Sequence, residues 1–417
     1  MSMSIDNARS FEVKQSASLE DVLAPRSKTH PHTNGGTRTR RPSLGRAVLS
    51  IALLLGMAGA VSGCGDDDEP MSLHADLQAT LEDVVARGVT PGVALVVSSG
   101  NGQSWSGTAG LSDIERKLPM SAQDRFRAGS ILKTLVATAV LQSVERGTLA
   151  LDDTLTERLP ASVTDRIANA ESITLAMLLG HRSGIPEWVT DETNMAIVSD
   201  PEHVWTLDEI LGIAGAQPPA FPPGAQYGYS NTNYVLLGEI LSAAEGRSWR
   251  ELVRERVIAR AGLSHTSLPE PGDPGCAAPC ARGYVPFDDE LMDFTAVDPS
   301  MAGASGGHAL VTTVFDLTAF WKQLRAGALF ERADTLNAML AFAPAPEPES
   351  RLVGYGLGVM RLESNGTVAV GHLGGTAGYQ SFMLYLPETD RYVTGFTNVM
   401  GDLAAVLVPI LDRASRP

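Results

Sequence analysis

The chain has 417 residues, 44% hydrophobic and 19% charged, enough apolar side chain to bury a sizeable core, which excludes a disordered chain. Its 48 acidic residues outnumber 32 basic ones, for a net charge of −16 at pH 7. An acidic surface repels phosphate backbones, so nucleic acid is not an expected partner.

Residues 1–45 are polar, serine-rich and broken by proline and glycine. The basic stretch "RTRRPSLGR" then leads into the apolar run "AVLSIALLLGMAGAVSG", which ends at Cys64. A basic head, an apolar centre and small residues before the cut have the composition of a secretory signal. The run is at the short edge for a membrane span. "VSGC", Val61 to Cys64, resembles a lipobox, which implies cleavage before Cys64 and a lipid on its sulfur. An uncleaved N-terminal anchor is the alternative. Arg40-Arg41 leaves the export route, general or twin-arginine, open. Residues 1–63 hold 8 of the basic and 4 of the acidic residues, leaving 24 against 44 beyond them. "GDDDEP" makes residues 64–72 an acidic, solvated tether. The expected location is the periplasmic side of a bacterial envelope, with a lipid anchor holding the protein to the membrane.

From residue 73 to 417 the pattern reads as one domain. "LHADLQATLEDVVARG" has helical periodicity, and "GVALVVSSGNGQSWSGTAG" predicts two strands about a Gly-Asn-Gly turn. A helix begins near Ser130 and runs to about Arg146, where Gly147 ends it. Residues 150–350 are mostly helical segments and loops. Cys276 and Cys280 sit in the Pro- and Gly-rich loop "PEPGDPGCAAPCARGY" and, in an exported protein, predict a small local disulfide. Two free thiols are the alternative. "GYGLGVMRLE", "TVAVGHLGG", "YQSFMLYLPE" and "RYVTGFTN" alternate like antiparallel strands, and "DLAAVLVPILDRA" closes as a helix. Strands at both ends with helices between predict an α+β fold. An antiparallel sheet built from both chain ends would then lie beside a helical lobe, with a cleft between them as the natural site.

Lysine usage points to the chemistry. The chain has 5 lysines against 27 arginines, and beyond residue 63 only Lys117, Lys133 and Lys322 occur. Arginine cannot lose its proton, whereas a buried lysine can. Lys133 lies among Leu132, Leu135, Val136 and Val140, so it is a candidate base. Residues i and i+3 share a helix face, which brings Lys133 to Ser130. Ser130 lies in the first turn, where free N–H groups and the helix dipole favour negative charge, so it is a candidate nucleophile. The plainer reading makes Ser130 a helix cap and Lys133 a snorkelling surface residue. Two further motifs bear on the choice. Tyr229-Ser230-Asn231 precedes a helix: Tyr229 can relay a proton, and Asn231 can donate to a substrate carbonyl or accept from Lys133. His372-Leu373-Gly374-Gly375 ends an apolar strand, where glycines let a substrate lie along the edge and the Gly375 N–H can hold an oxyanion.

Ser130-x-x-Lys133, Tyr229-x-Asn231 and His372-x-Gly374, in this order, resemble the three motifs of the penicillin-recognising serine hydrolases. The similarity is greatest to the class C β-lactamase and DD-peptidase group with its related esterases. "LLGHRSGIP", "FPPGAQYGYSNTNY" and "GHLGGTAGYQ" resemble that family too, over about residues 74–415. The resemblance implies an acyl-enzyme mechanism with Ser130 acylated. Lys133 and Tyr229 would share base and acid work, and Asn231 would position Lys133 and the substrate amide. The N–H groups of Ser130 and Gly375 would form the oxyanion hole, and His372, beside Gly374, would bias the local field. It implies no metal and no cofactor. The substrate would be a small molecule or a peptidoglycan peptide, with D-alanyl-D-alanine carboxypeptidase or β-lactamase-like activity first. The third motif departs from the family: Leu373 stands where a Thr or Ser hydroxyl usually grips a substrate carboxylate. That departure keeps a carboxylesterase as the alternative, and a non-catalytic binding lipoprotein is the rival from another class.

Two other features compete. "GASGG" around Ser305 fits Gly-x-Ser-x-Gly, but that motif needs a strand before it and a helix after it, and "FTAVDPSM" is no clean strand. His181 in "LLGHRSG" reads as a structural histidine packing a turn.

Overall fold

Alternating apolar residues near both ends of the chain draw those ends into a single sheet. The structure, a computed structural model, describes residues 72–416 apart from 288–289, 307 and 348–350. The apolar run and Cys64 lie outside the described residues. Helix α1 (Leu73–Ala86) starts on Ser72, whose hydroxyl accepts from the Ala75 N–H. The sheet strands are β1 (Gly92–Ser99), β2 (Ser104–Asp113), β3 (Leu118–Pro119), β4 (Ala343–Glu347), β5 (Leu352–Tyr355), β6 (Met360–Ser364), β7 (Thr367–Thr376), β8 (Tyr379–Leu386) and β9 (Arg391–Thr397). Their order is β3-β2-β1-β9-β8-β7-β6-β5-β4, and every neighbouring pair is antiparallel. The two chain ends meet where β1 pairs with β9, from Val93 opposite Thr397 to Ser99 opposite Arg391. The expected α+β architecture is the observed one.

Successive side chains on a strand face opposite ways, and β1 is buried on both sides. Ala94 and Val96 join the larger core beneath the helical lobe. Val93, Leu95 and Val97 join a second core with Leu77, Leu81 and Val84 of α1 and Val406 and Ile410 of the C-terminal helix (Leu403–Ala414). The sheet is therefore a middle layer. Between β3 and β4 the chain forms the lobe. Its centre is α2 (Leu132–Glu145), whose residues Leu132 to Ser143 are all buried. A short 3₁₀ turn, Gly129–Ile131, precedes it. Beside it lies α3 (Asn231–Glu245), closed by the left-handed Gly246.

One strand expectation differs. "GYGLGVMRLE" is not one strand: β5 ends at Tyr355 and β6 begins at Met360, with Gly358 at φ +82 in the turn between. Only glycine takes that conformation without strain, and it reverses the chain. Within the segment expected to be mostly helical, residues 248–262 start as an α-helix over Trp249–Val253 and then widen into a π-turn over Arg254–Ala259. Cys276 and Cys280 are joined in a disulfide. Among the described residues no helix is long and apolar enough to cross a membrane.

Candidate active site

Ser130 sits on a turn that glycine makes possible. Gly129 has φ +54, and a Cβ there would lie 2.6–2.9 Å from backbone atoms of Gly375. A Cβ on Gly306, at φ +132, would lie 2.8 Å from the Cα of Ser130 and 2.6 Å from the Gly129 carbonyl oxygen. Three backbone segments thus close around the serine with no room for side chains. The Ser130 hydroxyl does not cap the helix. It accepts at 2.9 Å from the Tyr229 hydroxyl and lies 3.0 Å from Lys133 Nζ.

Lys133 is fully buried, so it does not snorkel. Burial disfavours the ammonium and brings its pKa down to about 7, against a smaller upward pull from Glu187. Its Nζ also donates at 2.7 Å to Asn231 Oδ1 and lies 4.9 Å from the Tyr229 ring centroid. At pH 7 a substantial fraction is therefore the neutral amine, which can accept the serine proton. Tyr229 is the converse case. Burial pushes its pKa far above the usual tyrosine value, and the charges of Glu187 and Glu347 add to that, so it stays a proton donor.

The segment before α3 is held from below by His181, which the sequence marked as structural. His181 is fully buried at φ +53, and its ring lies 4.2 Å from that of Tyr229, tilted by 30°. Its Nδ1 accepts from the Ser230 N–H at 3.2 Å and from Asn233 Nδ2 at 3.1 Å. Burial, then the positive charge of Lys133, holds its pKa well below the ordinary histidine value, so the ring is neutral. Asn231 is fixed by a residue that sequence reasoning missed. Glu187 Oε2 accepts from the Asn231 N–H at 2.8 Å and from Asn231 Nδ2 at 2.9 Å, and Oε1 accepts from the Val189 N–H at 2.9 Å.

The third motif divides by strand alternation. His372 is fully buried and is not on the cleft wall. Tyr355 donates to its Nε2 at 2.9 Å, and its Nδ1 donates to the Leu373 carbonyl at 2.6 Å. Burial, helped by Lys133, brings its pKa to about 3, so it presents no positive charge to a substrate. The expected bias of the local field is therefore that of a neutral ring near Lys133 rather than of a positive charge. A Cβ on Gly374 would lie 2.1 Å from the Ala128 carbonyl oxygen, so this glycine lets β7 pack on the serine turn. Gly375 is exposed and lines the cleft with Ser130 and Asn231. Leu373 points to the face opposite His372 and Gly374, in a crevice with Leu362, Ala369, Leu403 and Leu407.

The cleft measures about 290 Å³, and Val189, Ile197, Val198, Phe294 and Met301 give it apolar walls. Among the described residues no lysine or arginine lines it. A larger depression of about 640 Å³ beside the disulfide holds none of these groups. Ser305 ends a 3₁₀ segment, Pro299–Ser305, so the strand-turn-helix setting that its motif needs is absent. The geometry brings Ser130, Lys133, Tyr229, Asn231 and Gly375 together. Glu187, Gly129 and Gly306 complete the site. Only the glycines gave a signal, each one residue from a candidate serine.

Residues 77–412 match the family model described as Beta-lactamase. The chain belongs to the β-lactamase family. Penicillin-binding protein 4 of Amycolatopsis lactamdurans is 25% identical over 359 residues, which is 81% of this chain and 92% of that protein. The D-stereospecific amidohydrolase from Streptomyces sp. superposes with a TM-score of 0.72 at 32% identity, covering 80% of this chain and 97% of that one. The D-amino acid amidase from Ochrobactrum anthropi SV3, complexed with L-phenylalanine amide, gives a TM-score of 0.72 at 29% identity over 82% and 97% of the two chains. For a β-lactamase-family chain the Ser130, Lys133 and Tyr229 cluster is where serine-hydrolase chemistry is to be sought, and the antiparallel sheet with its helical lobe is the family fold.

Proposed function

We propose that the protein hydrolyses small amides through an acyl-enzyme on Ser130, with substrates whose acyl donor has the D configuration. The observation that carries this is the Ser130 hydroxyl lying 3.0 Å from Lys133 Nζ and 2.9 Å from the Tyr229 hydroxyl. Neutral Lys133 takes the serine proton as Oγ attacks the carbonyl carbon. The N–H groups of Ser130 and Gly375 receive the oxyanion. Tyr229 gives its proton to the leaving nitrogen and recovers one from Lys133. Water then cleaves the ester by the same route in reverse, which frees the acid and restores Ser130. Lysine rather than tyrosine is the base because burial lowers the proton affinity of the amine and raises that of the phenolate.

The choice of substrate rests on two supports. Two of the similar solved structures are, by their names, a D-stereospecific amidohydrolase and a D-amino acid amidase. Among the described residues no lysine or arginine lines the cleft wall, and Leu373 lies in a separate crevice, which favours a substrate without a free carboxylate. A D-alanyl-D-alanine carboxypeptidase is the second reading, favoured by the match to 92% of a penicillin-binding protein. The test is a panel on purified protein: D- and L-phenylalanine amide, p-nitrophenyl butyrate, a D-Ala-D-Ala peptide and nitrocefin. The expected result is ammonia release from the D-amide at least about tenfold faster than from the L-amide, a margin of about 1.4 kcal/mol. Turnover of the D-Ala-D-Ala peptide alone selects the second reading, and turnover of the ester alone selects an esterase. We also propose, on sequence alone, export and lipid attachment at Cys64. Loss of detergent-phase partitioning in Cys64→Ser would follow.

A further inference from the structure

Glu187 has no part in the chemistry proposed above, yet its carboxylate makes three hydrogen bonds at the edge of the site. Two of them take the backbone N–H and the side-chain Nδ2 of one residue, Asn231. An amide has a donor end and an acceptor end. With Nδ2 committed to Glu187, Oδ1 must face the other way, and it receives Lys133 Nζ at 2.7 Å. Turning the amide over would set Oδ1 against the carboxylate, a repulsive contact, and would set Nδ2 against the ammonium form of Lys133, a second. The third bond, from Val189, holds the carboxylate itself.

We propose that Glu187 is a positioning residue for Lys133: it locks the Asn231 amide in the orientation that offers Lys133 an oxygen, and it places a negative charge beside that lysine. The proposal rests on Lys133 acting as the base. Asn231 is the first residue of α3, and Glu187 lies in the loop after His181, so the lock ties two segments of the lobe to the face of α2.

Charge makes the proposal measurable. Among the described residues, the titratable groups set against Lys133 are Glu187, His181 and Tyr229 from the loops, Tyr234 from α3 and His372 from β7. Both histidines are held neutral and the tyrosines stay protonated, so neither the rings nor the phenols change charge near neutral pH. Glu187 faces Lys133 and the Asn231 amide, and its own pKa is raised by burial, against the pull of its hydrogen bonds and of Lys133. Removing its charge takes away a force that favours the ammonium. The titration midpoint of Lys133 must then move to lower pH.

The experiment is a ¹³Cε NMR titration of lysine-labelled protein, wild type against Glu187→Gln and Glu187→Asp, with kcat and KM on the best substrate of the panel. It reads Lys133 directly, so it reports on Glu187 even if no substrate is turned over. The expected results for Glu187→Gln are a midpoint lower by about one pH unit and a kcat lower by about 10- to 100-fold at similar KM. Glu187→Asp keeps the charge but not the reach, so its midpoint stays near that of wild type while kcat falls. An unmoved midpoint in folded Glu187→Gln overturns the proposal. So does a rise in KM alone in either variant, which would make Glu187 a substrate contact. If Glu187→Gln does not fold, the Asp variant decides through the same split between midpoint, kcat and KM.

Discussion

A lysine at zero exposure costs stability unless its neighbours satisfy it, and Lys133 has Ser130 and Asn231 within 3.0 Å. The same burial that costs stability makes the amine useful as a base. The direction of the pH dependence follows. Below about pH 7 the ammonium dominates and cannot accept the Ser130 proton, so kcat/KM falls about tenfold per pH unit as pH drops. Above it the rate reaches a plateau. Tyr229 causes no loss on the alkaline side before the ordinary tyrosine range, because burial pushes its deprotonation higher. A pH–rate profile from 5 to 10 checks this, and an acid limb near pH 4 would place the base elsewhere. This residue was legible in the sequence because lysine is scarce there, which made one among leucines and valines conspicuous. Glu187 was not legible. Acidic residues are the commonest charge in the chain, and nothing in "SGIPEW" tells a surface glutamate from a buried one.

At the scale of elements, the site is a junction of one helix start, one loop and one strand edge. The approach of β7 to the turn before α2 needs Gly129, Gly374 and Gly306, and Ser381 ties the same place by donating to the Ala128 carbonyl at 2.9 Å. Gly129→Ala is the direct probe. It combines a left-handed backbone with a Cβ 2.6 Å from the Gly375 carbonyl oxygen, so it should cost about 1–3 kcal/mol. Activity should fall further than stability, because the strand must retreat from the oxyanion position. Urea unfolding and kcat on the same sample test this, and unchanged kcat in a destabilised variant would contradict it. The sequence placed α2 within two residues, since an apolar segment bounded by Gly129 and Gly147 has few other readings. It ran β5 and β6 together because Gly356 and Gly358 look alike in a sequence, while only the fold decides that Gly358 takes φ +82. His372 was placed on the right strand, but its charge was not legible. Whether a strand histidine is ionised depends on its burial and on Lys133, and both are tertiary facts.

At the scale of the molecule, the sheet joins residues about three hundred positions apart, from Val93 with Thr397 to Ser99 with Arg391, and the lobe lies between them in the chain. Phe126, just before the serine turn, stacks on Phe396 of β9 with ring centroids 4.0 Å apart. Phe396→Ala should cost about 3–5 kcal/mol through the cavity it leaves. If lobe and sheet unfold together, the variant shows one transition at lower urea, with activity lost in proportion to the unfolded fraction. Two separated transitions would contradict a single cooperative unit. This closure was legible from strands at both ends and helices between. The Glu187 and Tyr355 contacts that finish the site were not, because they depend on how the lobe packs after closure.

In the proposed reaction a neutral lysine, Lys133, activates one serine, Ser130. The most direct measurement is labelling by a fluorophosphonate at pH 5 to 9, read by intact mass and peptide mapping, on wild type and on Lys133→Met, which fills the buried space without a base. The account predicts one adduct, on Ser130, forming faster as pH rises through about 7 and at least about a thousandfold more slowly in the folded Met variant. Labelling of Ser130 at equal rates in both proteins, or an adduct on another serine, would contradict it.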